Sequence, residues 1–400
     1  MFAVADTDRL VADGVITAEQ SREIEARART AMVTLAVNAV LCFGIVAATL
    51  GLIFWLASAT AVAVSGTLAL AAGLLILARG REVYSMFGNA AALIGAGMLI
   101  GGACFELLDK YEDVAGWVML FGGLIPVAVA GHAMIAGGLT ARFVKGSILL
   151  MGVAAHLSGI GVLLDQHDIL GLGKALFMLY AAIAIVGAGW LTDVRLITAL
   201  AIVPFAQMLD TGTGYFHAAY VFYSPEPTLT ILQMTVLIMA CIWVAKLQPE
   251  RIARHARILA MLGFVTANLS ALVGSLWGDR VGERMWGPRY RDFDNDWEAY
   301  QTALEVFRES TVYLPEGFYS IAWALVLVAM IAWAAHKNQR GLFNAALTFA
   351  AIHAYTQMFE SFGDEPLAWV IGGLGAIPLA WGMWRLNGWF LREDGQAEGT

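Results

Sequence analysis

Apolar stretches of roughly 17 to 25 residues recur along nearly the whole chain, each long enough as a helix, at about 1.5 Å per residue, to cross a hydrocarbon layer of about 30 Å. They fall at 33–56, 59–78, 86–107, 115–136, 146–164, 172–191, 195–210, 228–245, 258–277, 318–335, 342–360 and 367–384. Hydrophobic residues make up 59% and charged residues 14% of the 400 positions, against about 25% charged in ordinary soluble domains. A soluble fold has no place to hide that much apolar surface. Barrel strands fit poorly because they alternate apolar and polar residues over about ten positions, whereas these runs are apolar all round. The expected fold class is all-α: a polytopic integral membrane protein of about twelve transmembrane helices, with the bilayer as its first partner.

Basic residues test the threading, since cytoplasmic loops collect them. With a cytoplasmic N-terminus and twelve spans, 17 of the 24 Lys and Arg fall on the inside and 7 on the outside, five of those seven in one long outside loop. This places both termini in the cytoplasm. The expected organisation is a cytoplasmic amphipathic hairpin (1–30), spans one to nine (31–277), an extracytoplasmic aromatic loop and helix (278–317), spans ten to twelve (318–386) and a cytoplasmic tail (387–400). The seventh span is the weak one, being short and containing Pro204.

Met1 to Thr30 is polar and charged, so no cleavable leader is expected and the first span is expected to direct insertion. Within it, Thr17-x-x-Gln20 is a capping-box pattern that opens a helix after the turn at Gly14. The unit reads either as a lead-in lying near lipid headgroups or as a docking hairpin for a cytoplasmic partner. Cys42, Cys104 and Cys241 lie in separate apolar spans without metal or disulfide spacing. The net charge of -8 gathers its acidic residues in the outside loops, and nothing supports nucleic-acid binding.

Two stretches read as copies. Phe87-Gly88-Asn89-Ala90-Ala91 running to Phe105-Glu106 matches Phe343-Asn344-Ala345-Ala346 running to Phe359-Glu360, and each is followed by an apolar segment, Trp117 to Pro126 and Trp369 to Pro378. A duplicated membrane hairpin with a paired proline kink is the expectation. The order Leu10 to Gln20, then many spans, then Asn344, Tyr355, Phe359-Glu360 and Gly372-Gly373 resembles a family of bacterial predicted polytopic membrane proteins classed as a domain of unknown function. The resemblance implies an inner-membrane location and many helices, and brings no activity or catalytic residue with it.

Polar groups inside spans are costly and face a bundle interior or a cavity. Here they concentrate on the outward-running helices, which are therefore expected to line the interior. Asn38, Asn89, Asn268 and Asn344 read as interhelical glue, worth about 0.6 to 2 kcal/mol each. Glu106, His156, Gln207, Asp210, His353, Gln357 and Glu360 are the candidates for a polar or ion pathway. His353, Gln357 and Glu360, spaced four and three apart, share one helix face. A histidine beside carboxylates suits proton handling; the bland reading is a satisfied buried histidine and two interfacial glutamates.

Other chemistry finds little support. His156 and His353 are haem-ligand types without an attachment motif, so no cofactor is expected. Asp292-x-Asp294-x-Asp296 opens like a calcium loop, yet Trp297 replaces the glycine and Ala303 stands where the bidentate glutamate belongs, so no metal is expected. Zincin, nucleophile-elbow, Walker and Rossmann patterns are missing, and no catalytic residue is assigned. Gly97-x-x-x-Gly101 points to close helix packing. Two classes remain: a transporter or ion- or proton-handling protein, and a non-catalytic scaffold that meets a membrane-complex partner through the 278–317 loop or the N-terminal hairpin.

Overall fold

The computed structural model describes residues 7–56, 58–79, 85–136, 142–216, 221–294 and 296–362, and then 365–367, 370, 372–375, 377, 381–382 and 385. Trp369, Pro378, half of the expected last span and the tail 387–400 lie outside the described residues. The chain is helical nearly throughout. Among the described residues eight helices are long and apolar enough to cross a membrane. The chain divides into two compact units, Met1–Ile169 and Leu170–Thr400.

The first unit begins with α1 (Thr7–Ala12) and α2 (Ala18–Leu56). The capping box closes in both directions, Thr17 N–H donating to Gln20 Oε1 at 2.8 Å and Gln20 N–H to Thr17 Oγ1 at 3.2 Å. No breaker interrupts the sequence after it, so α2 runs from the hairpin into the first expected span as one helix. Next come α3 (Ala59–Arg79), α4 (Ser85–Lys110), α5 (Glu112–Ala136) and α6 (Arg142–Gln166). They pack as two close pairs, α3 with α4 and α5 with α6. Glycine permits the approach: a Cβ at Gly95 would run into the backbone nitrogen of Leu70, and one at Gly123 into that of His156. Such backbone contact is how helices associate where lipid is as apolar as leucine. Helices α4 and α6 are the more buried, 33% of the apolar stretch of each against 17% of α3 and 22% of α5.

The second unit holds α7 (Leu172–Thr192), α8 (Arg195–Leu200), α9 (Ile202–Gln207), the ribbon β1–β2 (Gly214–Phe216, Val221–Tyr223), α10 (Pro227–Leu247) and α11 (Glu250–Trp277). A loop follows with the ribbon strand β3 (Asp279–Arg280), α12 (Glu283–Trp286), α13 (Trp297–Ser310) and β4 (Tyr313–Leu314), then α14 (Glu316–His336) and α15 (Arg340–Phe362). Here α11 is the most buried, 44% of its apolar stretch against 22% for α10 and 17% for α14.

The expected seventh span is not one helix. Pro204 lacks the N–H that the Leu200 carbonyl needs, so the segment breaks at Ala201 into α8 and α9. The broken segment nevertheless runs back along α7. Thr198 meets Gly189 near the end of α7, and Asp210 Oδ1 receives Lys174 Nζ at 3.2 Å near its start. Unit 2 therefore has two polar ends. One gathers Lys174, Asp210, the start of α10 and the 278–315 loop; the other gathers Asp193, the start of α11 and the end of α14.

Candidate functional site

The first of these ends is built around Glu226, which stands between Pro225 and Pro227. Pro227 occupies the first turn of α10, where its missing N–H costs nothing. The Glu226 side chain reaches across to the loop, accepting Gly282 N–H at 2.7 Å on Oε2 and Arg284 N–H at 2.6 Å on Oε1. It is wholly buried. Burial pushes its carboxyl up, the two N–H bonds pull it down, and Asp279 and Glu283 push it up again; the net result lies above the ordinary glutamate value.

Asp279 lies beside it and is also buried. Its Oδ2 accepts Thr228 N–H at 2.9 Å, Tyr319 O–H at 3.2 Å and the Thr228 hydroxyl. Strand β3 pairs antiparallel with β4, which puts the Arg280 guanidinium 4.9 Å over the Tyr313 ring. Arg308, at the end of α13, grips both oxygens of Glu283 at 2.7 and 2.9 Å. Asp296 caps α13, accepting Glu298 N–H at 3.0 Å and Ala299 N–H at 3.1 Å. Tyr290, Phe293 and Trp297 pack on Tyr300 with ring centres within 6.0 Å.

These elements enclose a cavity of about 910 Å³ whose wall includes Lys174, Asp210, Ser224, Asp279, Glu283 and five arginines, 280, 284, 289, 291 and 308. From Ser224 a buried chain of hydroxyls leads inward. Ser224 Oγ is 2.9 Å from Thr213 Oγ1 and donates to Ser270 Oγ at 3.2 Å, and Thr213 Oγ1 is 2.7 Å from Thr230 Oγ1. All four side chains are at most 1% exposed. Deeper along α10 and α11 lie Gln233, which donates to the Phe205 carbonyl, and Asn268, which accepts Trp323 Nε1–H at 3.0 Å. Asn268 sits nine residues before the end of α11, about 14 Å into the helix.

At the other end Asp193, in the left-handed conformation after α7, receives Arg254 Nη2 at 3.0 Å and His255 Nε2 at 3.4 Å, while His255 Nδ1 is 2.6 Å from Thr198 Oγ1. Burial raises the Asp193 carboxyl, but His255, Arg254 and Arg251 together bring it below the ordinary aspartate value. The Thr-His-Asp order resembles a nucleophile array, yet Thr198 is wholly buried. It is a tie between α7, α8 and α11. We expect Asp193→Asn to lower the stability of unit 2 by about 1.5 to 3 kcal/mol, read as a shift in the thermal melt of the purified protein.

The sequence candidates separate into distinct settings. Asp210 lines the cavity and is shared by Lys174 at 3.2 Å and Arg289 at 3.5 Å. Gln207 donates to the Thr213 carbonyl, beside the hydroxyl chain. His353 is buried and its Nε2–H donates to the Ser320 carbonyl at 2.9 Å, while Gln357 donates to Ser275 Oγ at 3.1 Å; neither lines the cavity. Glu360 is exposed. In unit 1, Glu106 pairs with Lys110 at 2.8 Å and His156 Nδ1–H donates to the Leu120 carbonyl at 2.7 Å. The repeat partners differ in setting, Asn89 being half-buried and Asn344 exposed.

Sequence reasoning missed Glu226, Asp279, Arg280, Arg284 and the four hydroxyl residues. The Pro-Glu-Pro triplet was the available signal for Glu226. Thr230 and Ser270 leave no mark on the apolar runs of α10 and α11 because serine and threonine can bond the carbonyl of the preceding helical turn, and Thr213 and Ser224 lie in the segment between α9 and α10. Comparison with family models, curated proteins and solved structures found no match to this chain.

Proposed function

We propose that this is a transport or ion-handling protein of a bacterial cytoplasmic membrane, threaded about twelve times with both termini in the cytoplasm, which admits a small solute through the unit 2 cavity. The observation that carries the reading is the buried hydroxyl chain from Ser224 on the cavity wall to Thr230 and Ser270 inside the helices. A polar cavity that continues as a polar track at membrane depth is what a solute path requires. The broken α8–α9 segment flanks that track, and interrupted helices belong to transport sites. His353, Gln357 and Glu360 form a second, proton-handling candidate on α15. The likeness to bacterial predicted polytopic membrane proteins and the duplicated hairpin belong to the same proposal.

The test is flux into vesicles reconstituted with the purified protein, measuring citrate, phosphate and proton uptake. Thr213→Val and Ser270→Ala should cut solute uptake at least about tenfold, the loss expected when a group is left unpaired along a path. Glu360→Gln keeps shape and removes charge, and should suppress only the proton component. No flux above protein-free vesicles in any sample overturns the transport reading, and equal flux in wild type and all variants overturns the assigned path. A scaffold is the second reading, favoured by Trp286 and Trp297, which stand 58% and 60% exposed on the loop. Aromatic side chains are the groups that anchor protein interfaces.

A further inference from the structure

We infer that the unit 2 cavity is a binding site for a multiply charged oxyanion, with Arg280 and Arg284 as its principal ligands and Glu226 as the residue that positions Arg284. The inference rests on the transport reading for its biological meaning but on the cavity alone for its chemistry. Six cations, Lys174 and five arginines, line the wall against three carboxylates, those of Asp210, Asp279 and Glu283. Each carboxylate is engaged through at least one oxygen, Asp279 by Oδ2 alone, its Oδ1 being buried without a hydrogen-bond partner. Asp210 is shared by Lys174 and Arg289, Glu283 is held at both oxygens by Arg308, and Asp279 is turned to Thr228 and Tyr319. Arg280 and Arg284 have no carboxylate partner among the described residues.

Their placement is built. Arg280 spends one donor on the Arg308 carbonyl at 3.1 Å and lays its flat face on Tyr313, so the remaining edges of the fork are free for a planar acceptor. Arg284 is held at its backbone by Glu226, and its side chain lies across Gly212, where a Cβ would run into the guanidinium. Gly212 also adopts φ 70°, a conformation that glycine tolerates. Guanidinium forks match carboxylate and phosphate oxygens two at a time. An uncharged or cationic solute gains nothing from this wall, whereas an anion with several charges offsets the excess of cations over carboxylates.

The oxyanion has two sources, a soluble carboxylate or phosphate and an anionic lipid headgroup. The test therefore has two arms on the full-length protein. In detergent, isothermal titration with citrate and with inorganic phosphate should show saturable binding that weakens with salt and falls at least about tenfold in Arg280→Gln and in Arg284→Gln, the loss of one charge-assisted pair. Lys337→Gln, at the opposite end of the unit, should bind as wild type. In nanodiscs, native mass spectrometry compares retention of phosphatidylglycerol with phosphatidylcholine. Selective retention of phosphatidylglycerol that needs both arginines, without binding in detergent, assigns the site to a lipid headgroup. Absence of binding in both arms, or binding unchanged in both variants, overturns the inference. Gly212→Ala is the second probe: it leaves every charge in place, displaces Arg284, and should reproduce most of the Arg284→Gln loss while the melting curve stays cooperative. Binding without flux removes the transport reading alone; flux without binding removes this inference alone.

Discussion

Glu226→Ala is expected to release the 282–284 segment from the start of α10. The change strips the acceptors from Gly282 N–H and Arg284 N–H, both bonded to a buried carboxylate at 2.7 and 2.6 Å. Two charge-assisted bonds, less the relief of desolvating the carboxylate, come to about 2 to 4 kcal/mol. The readout is tryptic cleavage of the native protein at Arg284, Arg289 and Arg291, which should rise at least about thirtyfold if cleavage follows the opening equilibrium. Glu226→Gln keeps one acceptor and turns an amide toward the other N–H, so its effect should fall between wild type and alanine. Unchanged cleavage in both variants would show that Glu226 does not hold the loop.

The same residue gives the loop a pH dependence with a definite sign. Its carboxyl lies above the ordinary 4.5 in the folded chain, first because of burial, then because Asp279 and Glu283 are close. A raised value means that folding favours the neutral form, so this contribution is fully present below the ordinary value and is lost as pH rises through the folded one. Wild-type protection from cleavage by an acid-tolerant protease should therefore increase as pH falls toward about 5, and Glu226→Gln should lack that component.

Gly95→Val is expected to separate α3 from α4. The new Cβ would run into the Leu70 nitrogen and stand 2.7 Å from the Gly66 carbonyl oxygen, both backbone atoms that no rotamer change can move aside. Overpacking of this kind costs about 1 to 3 kcal/mol, and more where two backbones must part. The purified protein should melt several degrees lower, at about 2 to 4 °C per kcal/mol for a unit of this size. Gly161→Val is the control, since a Cβ there meets nothing within 4 Å. Equal melting of the two variants would mean that close α3–α4 packing is dispensable.

Local features are legible in the amino-acid pattern. The helix expected within the 278–317 loop is α13, Trp297–Ser310, and the Thr17-Gln20 box closes in the chain as its residue types dictate. The greater burial of α4, α6 and α11 follows the uneven distribution of polar residues along the sequence. By contrast, the spacing that places His353, Gln357 and Glu360 on one helix face does not tell what that face meets. His353 found a carbonyl on α14, Gln357 a serine on α11, and Glu360 remains exposed.

The sequence by itself determined the class of the protein and the place of most helices, because helix bonds reach only four residues along the chain and membrane burial is a matter of apolar length. It also located the weak point at Pro204, whose missing N–H is a local property. Tertiary structure alone decided that the broken segment returns along α7 to set Asp210 beside Lys174. It likewise decided that Glu226 meets a loop 56 positions away and that the loop's arginines share one cavity. Those meetings depend on how separate helices pack, and in lipid that packing turns on where two backbones can approach, which the apolar pattern does not encode.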